Sequence, residues 1–171
     1  MTIKDSLIES IMRDLTICQH LHTKLDPKMA DWRPQENMRT TIHLLQYVCF
    51  IGKAMARHLV NPPADRSNAK EPIMALSKWS GEAVTFENFP EMIEAEKNEI
   101  LDAFAPITDA DLMRMTYHPD TGQDITLLQG LTDILIKYMC AYRHQLFIYA
   151  KLCGAEIGTS NNWMGVDPTQ S

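Results

Sequence analysis

Helical spacing of apolar residues runs through four long stretches of this sequence and leaves little room for another fold class. Apolar residues recur there every three or four positions, as expected of a helix with one buried face. In the first stretch the spaced residues are Leu7, Ile11, Leu15 or Cys18, Leu21 and Leu25. No stretch shows the alternation of apolar and polar residues that is typical of a strand. The pattern predicts an all-α protein.

Capping motifs and helix-breaking residues predict where the helices begin and end. Two motifs resemble capping boxes at the first helix: Thr2-x-x-Asp5 and Ser6-x-x-Glu9. Pro27 closes that helix because proline cannot continue the hydrogen-bond ladder. Thr126 and Gln129 form a further box, and Gly154 suits the end of the last helix. Together these signals predict helices over roughly 3–25, 40–60, 90–105 and 126–153.

The remaining segments predict one long crossover and an irregular tail. Residues 61–88 are rich in proline and polar residues, with one helical turn expected near 71–79. The C-terminal tail lacks a regular pattern, but Trp163 and Met164 predict that it packs back onto the helices. Four amphipathic helices with one long crossover form a four-helix bundle. We therefore predict a single helical-bundle domain over residues 1–171.

Charge and hydropathy argue against two classes of partner. The chain has 16 Lys+Arg against 22 Asp+Glu, a net charge of −6. Such an acidic chain disfavours nucleic acid, because phosphate contacts need clustered cations. No apolar run approaches the ~20 residues of a membrane span. Acidic residues stand where a signal peptide would have its apolar core, so we expect a cytoplasmic protein.

The four cysteines form no metal-binding or redox motif. Cys18, Cys49, Cys140 and Cys153 are isolated within apolar stretches, and no two make a Cys-x-x-Cys pair. We interpret them as small buried hydrophobic residues of a reducing compartment. One reactive thiol among them stays open, although no local feature singles it out.

Two motifs and the order of the helices are similar to a known family. The motifs are Trp32-Arg-Pro with Leu44-Leu-Gln-Tyr47, and Arg143-His-Gln-Leu146 with Tyr149-Ala-Lys-Leu-Cys-Gly154. Across nearly the whole chain they resemble the DinB-like superfamily, named for DNA-damage-inducible proteins and allied to bacillithiol transferases and mycothiol-dependent isomerases. The resemblance implies an up-down-down-up bundle, often dimeric, in which three histidines hold a divalent metal such as zinc or nickel.

This chain has tyrosines where the resemblance implies the three histidines. The first position corresponds to Tyr47 in the second helix. With Arg143 and Gln145 as anchors in the last helix, the other two correspond to Tyr138 and Tyr142. A phenol has a pKa near 10, so ionising one at pH 7 costs about 4 kcal/mol before a metal contributes. We therefore predict no metal and no cofactor at these positions, with ferric iron as the one ion acidic enough to recover that cost.

The other histidines of the sequence do not form a replacement for the three metal ligands. His20 and His22 point to different sides of their helix, and His144 lies about 200° round from Tyr142.

Helical geometry directs the phenols towards the interior of the bundle. Residues at alternating steps of four and three form one seam on the last helix: Leu131, Leu135, Tyr138, Tyr142, Gln145, Tyr149 and Leu152. The phenols either fill space and hydrogen-bond to one another, or bind an organic ligand through their hydroxyls.

Three functions are compatible with the sequence. The first is a DinB-like bundle without the metal site, which is non-catalytic or binds a small molecule. The second is a metal- or thiol-cofactor-dependent transferase or hydrolase with an atypical site around Tyr47, Tyr138 and Tyr142. The third is a homodimeric interaction protein that uses exposed apolar surface, including the tail. Arg143 is predicted to tie the last helix to a carboxylate or to carbonyl groups.

Overall fold

The computed structural model describes residues 1–68, 70–71, 73, 75 and 83–168. Its first three long helices are α1 (Ile3–His22), α2 (Thr41–Val60) and α3 (Phe89–Phe104). The fourth helix, α4, is a continuous run of three segments: Leu127–Gln129, the π-helical Gly130–Ile136, and Lys137–Leu152. Shorter helices with described bounds are the 3₁₀ segments Pro27–Met29, Arg66–Asn68 and Asp109–Met113, and α5 (Thr159–Met164).

The four long helices form the predicted bundle. Helices α1 and α2 each pack against α3 and α4, so that α1 and α2 stand at opposite corners. Apolar side chains from all four helices fill the core, among them Ile11, Leu15, Leu44, Leu59, Ile93, Ile100, Leu131 and Leu146. No helix in the described part of the chain is long and apolar enough to span a membrane. The fold class predicted from apolar spacing is confirmed.

Two of the predicted capping boxes are present. The Thr2 side chain accepts a hydrogen bond from the backbone N–H of Asp5, and the Asp5 carboxylate accepts one from Thr2. Thr126 and Gln129 make the same reciprocal pair at the start of α4. Of the helical turn expected near 71–79, residues 71, 73 and 75 are helical, and the rest lie outside the described residues. Side-chain caps therefore place two helix starts as the sequence predicted.

The expectation that the chain has no strand was wrong. Strand β1 (Met115–Tyr117) pairs antiparallel with β2 (Asp124–Thr126), with Tyr117 opposite Asp124. The connecting loop contains Gly122 at φ 69°, a left-handed conformation that glycine adopts without steric cost. Each strand has only three residues, too few for an alternating pattern to stand out from the surrounding sequence. This small hairpin closes the end of the bundle where α4 begins.

The tail is more ordered than the sequence predicted, and buried asparagines take part in anchoring it. It forms α5, in which Asn161 and Asn162 are buried while Trp163 and Met164 are 59% and 62% exposed. The Asn161 carboxamide accepts a hydrogen bond from Gly158 N–H at 2.8 Å and donates to an Asp167 oxygen at 2.9 Å. Lys24 and Arg143 join the tail to the bundle through the Asp167 carboxylate and the Asn162 carbonyl, each at 2.6 Å. The Arg143 guanidinium also lies over the Trp163 ring, 4.9 Å from its centroid.

Candidate functional site

The three tyrosines predicted to share a site lie side by side. The ring centroids of Tyr47 and Tyr142 are 4.6 Å apart, and those of Tyr142 and Tyr138 are 6.3 Å apart. All three side chains are half-buried at the edge of the core. We call these three residues the tyrosine cluster. Helix α2 supplies the first, and successive turns of α4 supply the other two, as the helical seam predicted.

The phenols of Tyr47 and Tyr138 are held in their neutral form. Burial raises the pKa of Tyr47, and the neighbouring Tyr142 phenol raises it further. Burial also raises the pKa of Tyr138, as does the nearby carboxylate of Asp120, which accepts a hydrogen bond from the Tyr138 hydroxyl at 3.2 Å. At neutral pH these groups serve as hydrogen-bond donors rather than as phenolate anions.

The guanidinium of Arg39, which the sequence did not indicate as a site residue, lies next to the tyrosine cluster. The Arg39 side chain lies over the Tyr47 ring, with Cζ 4.1 Å from its centroid, and 5.8 Å from that of Tyr142. The Arg39 carbonyl oxygen accepts a hydrogen bond from the Tyr149 hydroxyl at 3.0 Å. Gln145 in turn donates to that same hydroxyl at 3.2 Å. Gln145 thus supports the backbone that presents Arg39.

The hairpin loop borders the other side of the cluster. Its Asp120 carboxylate pairs with Lys70 at 2.9 Å, which holds the pKa of Asp120 below its usual range. The backbone N–H of Asp120 donates to His118 Nδ1 at 3.1 Å. Because the hydroxyl of Tyr138 also donates to this carboxylate, the negative charge of Asp120 is already matched within the protein.

Arg143 lies away from the cluster and joins three parts of the fold. It is only 3% exposed, and its Nη1 donates to the Asn162 carbonyl at 2.6 Å. Its Nε stands 3.3 Å from Asp14 Oδ1 in α1, and its Nη2 donates to Cys140 Sγ at 3.3 Å. Arg143 therefore links α4 to α1 and to the tail, through a carboxylate and a carbonyl group.

The residues at the three family positions do not suit the divalent metal that the resemblance implies. Neutral imidazole binds such an ion directly, whereas a phenol must first lose its proton. Burial raises the pKa of Tyr47 and Tyr138, which makes that loss harder than in water. Within the described residues, no group of three or more His, Cys, Asp or Glu side chains is arranged to hold a metal ion.

A second polar group, absent from the sequence-based prediction, lies between α2 and α3. Glu96 is fully buried, and its Oε1 accepts a hydrogen bond from the backbone N–H of Lys53 at 2.7 Å. Lys53 Nζ lies 3.6 Å from Glu96 Oε2 and 2.9 Å from Glu99 Oε1. A Cβ at Gly52 would stand 2.8 Å from Glu96 Oε1, so glycine is needed for this approach. Burial raises the pKa of Glu96 to about 8.

The cysteines divide into two pairs. Cys18 and Cys49 are buried, and burial raises the pKa of both thiols, in agreement with their interpretation as hydrophobic residues. Cys140 and Cys153 are only half-buried, so the prediction that these two are buried was wrong. Both lie towards the outside of α4 and its C-terminal end, where neighbouring side chains cover them incompletely.

Comparison with known proteins identifies a solved structure with a similar fold. No protein-family model and no curated protein match the sequence. The crystal structure of the DinB-like protein YjoA from Bacillus subtilis is similar over 90% of this chain and 96% of that chain, with a TM-score of 0.67 and 12% sequence identity. At that identity the likeness concerns the fold. The chain is thus a helical bundle of the DinB-like fold, as its motifs and helix order predicted.

Proposed function

We propose that this chain is a DinB-like bundle that binds a small organic ligand at the tyrosine cluster, without a resident divalent metal. The observation that carries the proposal is the convergence of three phenols at the positions that the resemblance assigns to metal ligands. In this proposal the phenols replace cation coordination with hydrogen-bond donation and aromatic contact.

Contrast with the two other tyrosines supports a binding role over simple space filling. Tyr117 and Tyr149 are 3% and 1% exposed. Their hydroxyls donate to backbone carbonyls, of Pro63 at 2.7 Å and of Arg39 at 3.0 Å. The phenols of the cluster are half-buried instead, and none of them donates to a backbone carbonyl within the described residues. Tyrosines that only support the fold have a different environment in this same protein.

The electrostatics of the cluster favour binding over catalysis. A phenol acts as a base or a nucleophile after ionisation, and the raised pKa of Tyr47 and Tyr138 opposes that step. Neutral hydroxyls are suited to orienting a bound molecule. The enzyme with an atypical site and the homodimer remain the alternatives, as predictions from the sequence.

Fluorine NMR of the chain labelled with 3-fluorotyrosine would test the proposal. The sequence has five tyrosines, so five signals are expected, and single Tyr→Phe variants assign them. Benzyl alcohol and benzoate are the probes. We expect them to shift the signals of the tyrosine cluster and to leave those of Tyr117 and Tyr149 unchanged. If neither probe shifts any cluster signal, or if only the two control signals move, the proposal is wrong.

Restoring imidazoles should restore metal binding. We expect the triple variant Tyr47→His, Tyr138→His, Tyr142→His to bind about one zinc or nickel ion per chain, because three neutral imidazoles converge without a cost of ionisation. Elemental analysis after dialysis measures the stoichiometry. The matched control replaces the same three tyrosines by phenylalanine and should bind no metal. A folded triple-histidine variant without metal would show that these positions do not correspond to the family ligands.

A further inference from the structure

We infer that the tyrosine cluster recognises a monoanionic organic carboxylate, held by the guanidinium of Arg39 and the hydroxyl of Tyr142. The inference rests on the proposed function and specifies the class of its ligand. Three features of the site carry it: a stacked arginine without an ionic partner, a phenol proton without an acceptor, and the balance of charge around both.

Arg39 differs from the arginines that have structural ion pairs. Its guanidinium lies against the Tyr47 ring, and within the described residues it pairs with no carboxylate. Four other arginines each pair with a carboxylate: Arg13, Arg57, Arg66 and Arg143. Stacking occupies the face of a guanidinium and leaves the N–H donors at its edge free. Those donors match the two oxygens of a carboxylate in a bidentate arrangement.

The hydroxyl of Tyr142 provides a third donor next to Arg39. Each phenol has a single proton to donate. The Tyr142 ring lies between those of Tyr47 and Tyr138, with its centroid 4.6 Å and 6.3 Å from theirs. Tyr138 donates to Asp120. Within the described residues, the hydroxyl of Tyr142 has no acceptor at hydrogen-bond distance, whereas that of Tyr138 does. An oxygen atom of a ligand would provide one.

The charges around the cluster favour a ligand that carries a single negative charge. Arg39 contributes one positive charge without a partner in the described residues, whereas Lys70 is already matched by Asp120. A carboxylate neutralises Arg39. A phosphate monoester carries up to two negative charges at neutral pH and would place an uncompensated charge beside the Asp120 carboxylate. The rings of the cluster offer an apolar wall to the organic part of the ligand.

Four probes that share a phenyl ring separate these requirements. Benzoate, benzamide, phenyl phosphate and benzylamine are titrated against the fluorotyrosine-labelled chain. We expect benzoate to bind about tenfold or more tightly than benzamide, because charge-assisted hydrogen bonds are stronger than neutral ones. Phenyl phosphate should bind more weakly than benzoate, and benzylamine should not bind. Equal affinity for benzoate and benzamide, or tighter binding of phenyl phosphate, would overturn the inference.

Substitution of the arginine tests its role directly. We expect Arg39→Gln to weaken benzoate binding about tenfold or more and to leave benzamide unaffected. The control is Arg33→Gln, since Arg33 is exposed and donates to the Glu36 carbonyl rather than stacking on a tyrosine. Thermal unfolding checks that each variant is folded, and Tyr142→Phe provides a second variant that should weaken benzoate.

The outcomes distinguish the inference from the proposed function. If Arg39→Gln and Tyr142→Phe bind benzoate like the parent chain while cluster signals still shift, the choice of a carboxylate is wrong and ligand binding at the cluster stands. If none of the four probes shifts a cluster signal, both are wrong. Weaker benzoate binding in both Arg39→Gln and Tyr142→Phe, with Arg33→Gln unchanged, supports both.

Discussion

Replacement of Arg143 by alanine is expected to lower the free energy of unfolding by about 3–5 kcal/mol, the usual effect of removing one partner of a buried ion pair. The guanidinium is almost fully buried and contacts Asp14, the Asn162 carbonyl and Cys140. Its loss leaves a largely buried carboxylate and a carbonyl group without their donor, and separates the tail from α4. Urea denaturation followed by circular dichroism measures the change.

The control for this variant is Arg13→Ala on the outer face of α1. Arg13 pairs with Glu9 at 3.6 Å, and both side chains are exposed. Exposed pairs of this kind contribute roughly 0–1 kcal/mol, so the control should unfold close to the parent. A loss below about 1 kcal/mol in Arg143→Ala would contradict a role for Arg143 in joining the helices to the tail.

Stability of the parent chain should fall as pH rises from about 5 to 9, by roughly 2–4 kcal/mol more than in Glu96→Gln. Burial raises the folded-state pKa of Glu96 from 4.5 to about 8. The folded chain then keeps a proton that the unfolded chain releases. This contribution is complete below the unfolded pKa and is lost as pH rises through the folded one. Urea titrations at several pH values measure the slope.

Glutamine imitates the protonated form of Glu96 and does not titrate, so the variant isolates this one carboxyl. Glu91→Gln is the matched control, because Glu91 is an exposed carboxyl in the first turn of the same helix. It should retain the slope of the parent. Equal slopes for the parent and Glu96→Gln would mean that Lys53, 3.6 Å from Glu96 Oε2, keeps the carboxyl ionised in the fold.

Local signals in the sequence were sufficient for most of the fold. A capping box depends on residues three positions apart, and Thr2 with Asp5 or Thr126 with Gln129 can be recognised without knowledge of the rest of the chain. The buried stripe of α1 follows from spacing alone. The hairpin was missed because its pairing of Met115 with Thr126 depends on a loop conformation, and three-residue strands have no periodicity to detect.

The tyrosines of the candidate site could be predicted from the family motifs and helical geometry, whereas Arg39 and Glu96 could not. Tyr138 and Tyr142 are four positions apart in α4, so helical geometry brings them together. Arg39 precedes α2, and its stacking on Tyr47 depends on how the chain enters that helix. Glu96 lies in a stretch of α3 with several glutamates, and neither its charge nor its spacing distinguishes the buried one from the exposed ones.

The π-helical segment of α4 bears on how chains of this fold should be aligned. Over Gly130–Ile136 the backbone hydrogen bonds reach five residues along the chain rather than four, so the segment holds an additional residue within nearly the same axial length. An insertion or deletion can be absorbed there while later side chains keep their direction. Counting residues across such a wide turn misassigns equivalent positions between homologues, and superposition of backbones is needed to identify them.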